Sequence, residues 1–303
     1  MVGAKLVLPG PQLDGQSLYQ LFEDEGVTLS AGVPTVWQGL LTHVQTHHLK
    51  FTSMRRTVVG GSSCPPAMMR IFEDVYDVQV IHAWGMTELS PVGTIGVLKK
   101  NQLDWPLDKR REVQAKQGRA VYGVDLKIVD EAGEELPWDG KTSGELLVRG
   151  GWVVAHYLGA ETPSPLRQDS RGRDWFPTGD VATMDEHGFM NITDRSKDVI
   201  KSGGEWIGSI DLENIAMAHP TVAMAACIAA KHPKWDERPL LIVVLKPEAT
   251  LTREALLSFF EGRIAKWWTP DDVVFVDSIP LGPTGKMLKH QLRERFQNHL
   301  LTT

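Results

Sequence analysis

The sequence predicts an α/β protein that ends in a small α+β domain. Residues 4–81 alternate short apolar runs with helical patterns, which favours strand–helix units and a largely parallel sheet. From about Gly118 the hydrophobic period changes to two, which indicates a β-rich segment. After Asp194 helical and strand patterns mix again. We therefore expect two domains, which fits a length of 303 residues at roughly 150 residues per domain.

The first strand–helix units follow from apolar spacing. Leu18, Leu21 and Phe22 recur at helical intervals, and a strand is expected at residues 27–31. A second helix begins at Pro34, because proline suits the first helical turn. Its apolar residues follow the i, i+3, i+4, i+7 pattern: Trp37, Leu40, Leu41 and Val44.

Two further strands end in polar and glycine-rich turns. The strand at residues 57–59 runs into Gly60-Gly61-Ser62-Ser63, and Pro65-Pro66 opens a helix that extends through Tyr76. The strand at residues 78–81 leads directly into the segment 82–88, His-Ala-Trp-Gly-Met-Thr-Glu.

The rest of the chain contains β-rich and then mixed patterns. Turns are expected at residues 131–133 and 185–188, and a helix at 209–218 is stopped by Pro220. Strands are expected at 222–229 and 240–245. Two later helices are indicated by apolar residues four apart, Leu256, Phe260 and Ile264 in one and Leu288, Leu292 and Phe296 in the other.

Composition excludes several classes of protein. Hydrophobic residues make up 42% and charged residues 23%, which is ordinary globular usage, and a net charge of −6 without a basic stripe argues against nucleic-acid binding. The two cysteines have no metal-ligand spacing, so we expect a reducing compartment, the cytoplasm. The sequence contains no run of about 18 apolar residues, so we expect no membrane-spanning helix.

The segment that follows the strand at 78–81 is a candidate ligand site. Open α/β sheets bind ligands beyond the carboxyl ends of their strands. The Glu88 carboxylate beside the Thr87 hydroxyl suits Mg²⁺ held partly by substrate phosphates, and the Trp84 indole can stack on a nucleobase. An ordinary strand-to-loop turn is the competing interpretation.

Weaker candidates lie elsewhere in the chain. Gly61 would let a flat ring approach the backbone, and Asp180 could accept both hydroxyls of a ribose, although each also fits a simple turn. Lys286 in Pro-Thr-Gly-Lys could reach a phosphate as a mobile charge, but the glycine spacing is wrong for a P-loop. His43 and His47 lack a third ligand, so we expect no zinc site there.

The order of these motifs resembles that of the adenylate-forming acyl-CoA synthetases over essentially the whole chain. The series comprises Gly-Gly-Ser at 60–62, Trp-Gly-Met-Thr-Glu at 84–88, Gly-Glu-Leu at 144–146, Thr-Gly-Asp at 178–180, Asp-Arg at 194–195, Lys-Ser-Gly-Gly-Glu-Trp at 201–206 and Pro-Thr-Gly-Lys at 283–286. The segments 31–37 and 202–206 look most like the medium- and long-chain fatty acyl-CoA ligase branch. The sequence of segment 82–88 is also similar to that of bacterial 3-methylmercaptopropionate ligases.

The resemblance implies a two-step reaction that uses ATP, Mg²⁺ and coenzyme A. A small carboxylic acid attacks the α-phosphate of ATP to give an acyl-adenylate, and the thiol of coenzyme A then displaces AMP. It also implies that residues 1–194 are the carboxyl-terminal part of a large adenylate-forming domain. Residues 195–303 would be a small mobile domain that pivots at Lys197.

The resemblance assigns roles by matching position. Catalysis would involve Lys286, Thr87 and Glu88, with Glu88 holding Mg²⁺. The acyl group would contact Val33 and Trp37. Nucleotide binding would involve Gly61, His82, Ala83, Trp84, Thr87, Asp180, Arg195 and Lys197, and coenzyme A would bind at Lys201, Ser202, Gly203, Gly204, Glu205 and Trp206.

The sequence departs from the family pattern in two places. Nothing resembles the Ser/Thr/Gly-rich loop that ends in Pro-Lys-Gly and wraps the triphosphate, and a Phe-His motif of the acyl-binding helix is absent. We therefore expect a carboxyl-terminal portion of the enzyme. The alternatives are a 3-methylmercaptopropionate ligase and a non-catalytic remnant that binds nucleotide or coenzyme A, and the family suggests a homodimer.

Overall fold

The computed structural model describes residues 3–159, 163–282 and 285–301. The chain divides into two compact units. The first contains the described residues of Met1–Met86, Val92–Gly118 and Pro283–Lys286, and the second those of Thr87–Pro91, Arg119–Gly282 and Met287–Thr303. The predicted boundary between residues 194 and 195 stays a prediction.

Four helices belong to the first unit: α1 (Gly15–Glu25), α2 (Pro34–Thr46), α3 (Pro66–Arg70) and α4 (Leu107–Ala115). Helix α1 begins where the Asp14 carboxylate accepts a hydrogen bond from the Ser17 amide at 2.9 Å, which satisfies one of the free amides of its first turn. A π-helical turn, Ile71–Val75, continues α3.

The sheet of the first unit is mainly parallel, as predicted. Strands β1 (Leu29–Gly32), β2 (Arg56–Val59) and β3 (Gln79–Gly85) run parallel in the order β1-β2-β3, and β4 (Val92–Ile95) pairs antiparallel with β3. The first strand lies slightly later than residues 27–31. Parallel pairing brings the carboxyl ends of β1, β2 and β3 to one edge of the sheet, which is where open α/β folds bind ligands.

The core of the first unit confirms the helical spacing read from the sequence. The apolar stripe of α2 belongs to the same buried cluster as Phe72 and Val80, and each of its four members is at most 2% exposed: Trp37, Leu40, Leu41 and Val44. A stripe of this width is the face that an amphipathic helix presents to a core. Its burial holds the end of β1 and the start of α2 in place.

The first part of the second unit is β-rich, as predicted. It contains β5 (Arg119–Ala120), β6 (Val124–Val129), β7 (Gly144–Gly150), β8 (Arg167–Gln168), β9 (Asp174–Met184) and β10 (Met190–Arg195). Four strands pair antiparallel in the order β10-β9-β7-β6, and β8 pairs with β9. The predicted turn at 185–188 is closed by the Gly188 amide, which donates to the Asp185 carbonyl at 2.8 Å.

The remainder of the second unit mixes helices and strands. Its elements are β11 (Ile200–Ser202), β12 (Glu205–Ile207), α5 (Ser209–Met217), β13 (Val222–His232), β14 (Asp236–Leu245), α6 (Arg253–Phe259), β15 (Asp272–Phe275) and α7 (Lys289–Phe296). The sheet order is β12-β11-β14-β13, with β15 parallel to β14. This arrangement confirms the predicted α+β character.

One predicted helix is shorter than expected. Helix α6 ends at Phe259, before the last two residues of the Leu256, Phe260, Ile264 series. Gly262 lies at φ +70°, a conformation that interrupts a right-handed helix. No helix in the described ranges is long and apolar enough to cross a membrane.

Candidate functional site

The loop after β2 places Gly61 close to the start of α2. The Gly60 amide donates to the Gly32 carbonyl at 3.2 Å, which fixes the loop to the end of β1. Gly61 has φ +82°, and a β-carbon on it would lie 2.9 Å from Val33 Cγ1. Both the backbone conformation and the lack of space therefore require glycine at position 61.

The loop that carries Lys286 belongs to the same unit. The Thr35 hydroxyl donates to the Gly285 carbonyl at 3.4 Å, and Lys286 Cε is 3.9 Å from the position that a β-carbon on Gly61 would occupy. The structure thus brings Lys286, Gly61 and Val33 together, although they are far apart in sequence. Pro283 and Thr284 of the same motif lie outside the described residues.

Trp37 lies next to Gly32, at the end of β1. Its side chain is 2% exposed, and its ring atom Cζ2 lies 2.7 Å from the position of a β-carbon on Gly32. The indole Nε1 is buried and has no hydrogen-bond partner among the described residues. An acyl-binding role for Trp37 and Val33 stays a prediction.

Strand β3 turns its predicted nucleotide-binding residues to alternate faces. His82 and Trp84 are buried, whereas Ala83 between them is partly exposed. The His82 Nε2 accepts from the Cys64 amide at 3.2 Å, and its Nδ1 donates to the Ala115 carbonyl at 2.9 Å. Complete burial lowers the pKa of His82 to about 4, so the ring is neutral at pH 7. Its nitrogens therefore hold backbone segments together.

Thr87 and Glu88 lie in a 3₁₀ turn, Thr87–Leu89, of the second unit. The Tyr157 hydroxyl donates to Glu88 Oε1 at 2.9 Å, and the Val154 amide donates to the Glu88 carbonyl at 2.8 Å. Burial, followed by the neighbouring carboxylate, raises the pKa of Tyr157. Tyr157 has no counterpart in the sequence analysis, since an isolated tyrosine 69 residues away gives no signal.

The donor set at Glu88 fits Mg²⁺ that arrives with a nucleotide, but it does not form a complete cage. Mg²⁺ usually takes one or two carboxylate oxygens and completes its shell with waters and substrate phosphates. No group of three or more His, Cys, Asp or Glu side chains in residues 3–159, 163–282 and 285–301 is arranged to hold a metal. Glu88 would therefore act as one ligand among phosphate oxygens.

Asp180 and Arg195 face each other across strands β9 and β10. The two residues are in register, and Arg195 Nε lies 3.3 Å from Asp180 Oδ1. Asp180 is only 3% exposed, and its amide donates to the Thr178 hydroxyl at 3.1 Å. The pair presents a carboxylate acceptor beside a guanidinium donor. Lys197, two residues beyond Arg195, is exposed.

The predicted coenzyme A segment forms the hairpin β11–β12. Lys201 and Trp206 are opposite each other, with Lys201 Nζ 5.4 Å from the centre of the Trp206 ring. Gly203, Gly204 and Glu205 are exposed at the turn. Ser202 is fully buried, and its hydroxyl accepts from Arg238 Nη1 at 3.1 Å. The Ser202 side chain is therefore committed to the interior.

Arg238 is a residue that the sequence analysis missed. Besides Ser202, its guanidinium donates to Asp271 Oδ1 at 2.7 Å and to the Trp267 and Thr269 carbonyls at 2.8 and 3.0 Å. These partners lie 29 to 36 residues from Arg238 in sequence, so no local motif could reveal them. Arg238 fixes the base of the hairpin.

A buried ionic group next to Arg195 was also missed. Lys289 Nζ donates to Glu213 Oε1 and to the Ser209 hydroxyl, both at 2.6 Å, and the Ser209 amide donates to Asp194 Oδ2 at 2.6 Å. Burial raises the pKa of Glu213, and the positive charge of Lys289 reduces that rise. The carboxylates in turn raise the pKa of Lys289 above its usual value despite its burial.

Comparison with known proteins identifies the family. The model of the AMP-binding enzyme family matches residues 1–158, and that of the AMP-binding enzyme C-terminal domain matches residues 211–286. The chain is 51% identical over 300 residues to a 3-methylmercaptopropionyl-CoA ligase of Ruegeria lacuscaerulensis. It is also 51% identical over 301 residues to a medium-chain-fatty-acid–CoA ligase of Ectopseudomonas oleovorans.

Each of these alignments covers 99% of this chain but only 55% and 54% of the relatives, so the chain spans about half their length. Among solved structures, the ATP-bound crystal structure of MatB from Rhodopseudomonas palustris is similar, with a TM-score of 0.80 and 27% identity. That match covers 95% of this chain and 54% of MatB. The first family model alone accounts for just over half of the residues, and the fold agrees with it. The chain therefore belongs to the AMP-binding enzyme family.

Proposed function

We propose that this chain supplies the carboxyl-terminal part of an ATP-dependent acid–thiol ligase that activates a fatty acid and transfers it to coenzyme A. One observation carries the proposal: the Lys286 loop lies against Gly61 and Val33, residues expected at the nucleotide and acyl sites. The names of the two relatives at 51% identity support the same class of reaction.

The proposed reaction has two balanced steps. A carboxylate oxygen bonds to the α-phosphorus of ATP while the bond to pyrophosphate breaks, which gives an acyl-adenylate. The coenzyme A thiol, losing its proton, then bonds to the acyl carbon, and AMP leaves. Negative charge concentrates near the carboxylate and α-phosphate in the first step, so a cation held there lowers the barrier. We assign that role to Lys286.

The adenine and the phosphates are proposed to contact residues of the segment 61–88. The adenine would be bordered by Gly61 and by the backbone of His82 and Ala83. The Trp84 ring would face the adenine. Thr87 would bind a phosphate oxygen. Mg²⁺, when bound to Glu88, would neutralise phosphate charge.

The ribose and the thiol substrate are assigned to the second unit. Asp180 would accept hydrogen bonds from the ribose hydroxyls, because an ionised carboxylate offers acceptors only, and Arg195 would hold that carboxylate in position. The pantetheine arm is proposed to pass along the exposed turn of the β11–β12 hairpin, between Lys201 and Trp206. A rotation of the domain 195–303 about Lys197, relative to the domain 1–194, would switch the enzyme between the two steps.

The acid itself is proposed to be a medium- or long-chain fatty acid. Val33 provides apolar surface beside Gly61 and Lys286, which favours an alkyl chain over a charged group, and Trp37 is proposed as a further acyl contact by the family resemblance alone. 3-Methylmercaptopropionate is the second candidate, because the relative named for that acid is as similar as the fatty-acid ligase. One methylene changes binding by only about 1–3 kcal/mol, so we expect a broad preference. We also propose a cytoplasmic location, as expected from the cysteine usage, and a homodimer, as the family resemblance suggests.

The test fuses residues 1–303 to the part of the Ectopseudomonas oleovorans ligase that the alignment leaves uncovered, which we propose precedes the aligned region. Acid-dependent exchange of pyrophosphate into ATP is measured with octanoate and with 3-methylmercaptopropionate. Lys286→Ala should reduce the exchange rate about a hundredfold, as expected for loss of a preorganised charge. Lys246→Ala, an exposed lysine, is the matched control.

The outcomes separate the alternatives. Equal exchange rates for the two lysine variants would contradict the role of Lys286. A fusion that binds AMP and coenzyme A by calorimetry but exchanges no pyrophosphate would favour the non-catalytic alternative. A ratio of exchange rates that favours 3-methylmercaptopropionate would replace the fatty-acid assignment.

A further inference from the structure

The β-rich part of the second unit contains a cavity that the proposed ligase chemistry does not use. Its volume is about 500 Å³, within the range of small-molecule pockets, roughly 300–1,000 Å³. The cavity is lined by residues of β5, β6 and β9, by two turns and by the loop that carries Glu135 and Trp138. None of its lining residues is among those proposed for nucleotide, acid or coenzyme A.

The floor of the cavity is aromatic and apolar. Trp175 is 4% exposed and lies among buried Val124, Leu126 and Met184, and the half-exposed Trp138 stands at the side. Three cationic groups surround the Trp175 ring, the nearest being Lys127 Nζ at 4.4 Å from its centre. Trp175 is therefore part of the floor, and the half-exposed indole of Trp138 is the flat surface on which another ring can stack.

The charge of the lining favours an anion. Four cationic and two anionic side chains line the cavity, and one of the acids, Asp125, is already paired with Arg149 at 2.9 Å. Asp169 lies nearby, but its carboxylate is saturated by Arg173, Lys127 and the Trp175 indole. The charges of Asp125 and Asp169 are therefore compensated, and two arginines, Arg119 and Arg171, outnumber the one remaining acid of the lining, the exposed Glu135.

Arg119 has unused hydrogen-bonding capacity. Its guanidinium carbon lies 5.4 Å from the centre of the Phe189 ring, which holds the side chain in place. The Nε atom is buried and has no hydrogen-bond partner in the part of the chain that the structure describes. A buried unpaired donor of a charged group is costly, and an anionic ligand would relieve that cost.

The rim is rigid before any ligand binds. Asp169 Oδ1 accepts from the amides of Arg171 and Arg173, at 3.0 and 2.9 Å. Asp185 Oδ1 accepts from the amides of His187 and Phe189, both at 2.9 Å. Two aspartate-anchored turns thus fix the edges of the cavity, and less conformational entropy is lost on binding.

We propose that this cavity is a second binding site, for a small aromatic anion whose ring stacks on the half-exposed Trp138 and whose carboxylate or phosphate pairs with Arg119 and Arg171. The guanidinium groups can form two parallel hydrogen bonds with either head group. The site is independent of the proposed nucleotide site, because its residues do not overlap with Asp180 or Arg195.

Calorimetry on the 303-residue chain tests the proposal with phenyl phosphate, benzoate, inorganic phosphate and phenol as probes. At least one of the two aromatic anions should bind about tenfold more tightly than phosphate or phenol, and their order identifies the preferred head group. Arg171→Gln, on the exposed rim, should weaken that binding about tenfold without affecting the fold, and Arg119→Gln by at least as much. Arg167→Gln, an exposed arginine paired with Glu145, is the matched control.

Two results would overturn the inference. Binding that persists in both Arg119→Gln and Arg171→Gln but is lost in Asp180→Asn would place the ligand at the nucleotide site. The absence of tighter binding for either aromatic anion would show that the cavity has no such ligand. A selective loss in the two cavity variants, with Asp180→Asn unchanged, supports the second site whatever the outcome for the ligase reaction.

Discussion

The pH dependence of folding should reveal the state of His82. Its Nε2 faces an amide N–H and its Nδ1 faces a carbonyl, so only the neutral ring with the proton on Nδ1 satisfies both neighbours. Protonation would put a second N–H against the Cys64 amide inside a fully buried site. The ring therefore resists protonation until the chain unfolds.

The size of the effect follows from linkage. The folded pKa of about 4 lies below the ordinary value of 6.5, so between these values the unfolded chain binds more protons than the folded one. The free energy of unfolding therefore falls as the pH drops through this window. The loss attributable to His82 is about 2 kcal/mol at pH 5 and about 3 kcal/mol at pH 4, compared with pH 7.

The assay is urea unfolding at pH 7, 6, 5 and 4, followed by tryptophan fluorescence. His82→Gln removes the titrating group while retaining an acceptor and a donor, so groups common to both proteins cancel in the difference. The wild-type protein should lose about 2 kcal/mol relative to His82→Gln between pH 7 and 5. His156→Gln, at an exposed position, should follow the wild-type profile. A difference between wild type and His82→Gln that is independent of pH would refute the reasoning.

Two further changes test the packing around the candidate site. Lys289→Met leaves the buried Glu213 carboxylate without its partner and should lower the free energy of unfolding by about 3–5 kcal/mol. Adding Glu213→Gln should restore much of this lost stability, because no buried charge is then left unpaired. A double variant as unstable as Lys289→Met would argue against the pair. Gly118→Ala places a β-carbon 2.1 Å from the Ile95 carbonyl carbon at φ +96°, so calorimetry should show a melting temperature lowered by several degrees, whereas Gly10→Ala, in open space, should change it far less.

The strand–helix order of the first unit could be predicted because local signals agreed with the final packing. Proline at the start of α2 and the glycine pair after β2 bound elements whose apolar residues are buried where the periodicity placed them. The same reasoning failed at the end of α6, where apolar spacing suggested continuation and Gly262 stopped the helix. Periodicity describes the face of a helix and does not determine where it ends.

The candidate site could be predicted only where it consists of short motifs. The burial of His82 had a local signal, since Val80, His82 and Trp84 alternate along one face of β3 and all three are buried. The partners of Arg238 and of Glu88 had none, because they come from distant segments. Hydrogen bonds of this kind depend on tertiary contacts that no sequence window contains.

The contacts of Asp194 constrain the proposed movement about Lys197. Asp194 lies before the predicted boundary, and its carboxylate accepts from the Ser209 amide, which lies after it. On the other side of the pivot, Asp198 forms an ion pair with Arg293. A rotation at Lys197 therefore keeps the Asp198 contact, but it has to break the 2.6 Å hydrogen bond to Asp194 and expose a carboxylate that is 1% exposed here. Hydration of that carboxylate would offset part of the loss, so Asp194 is the residue whose burial distinguishes this arrangement from a rotated one.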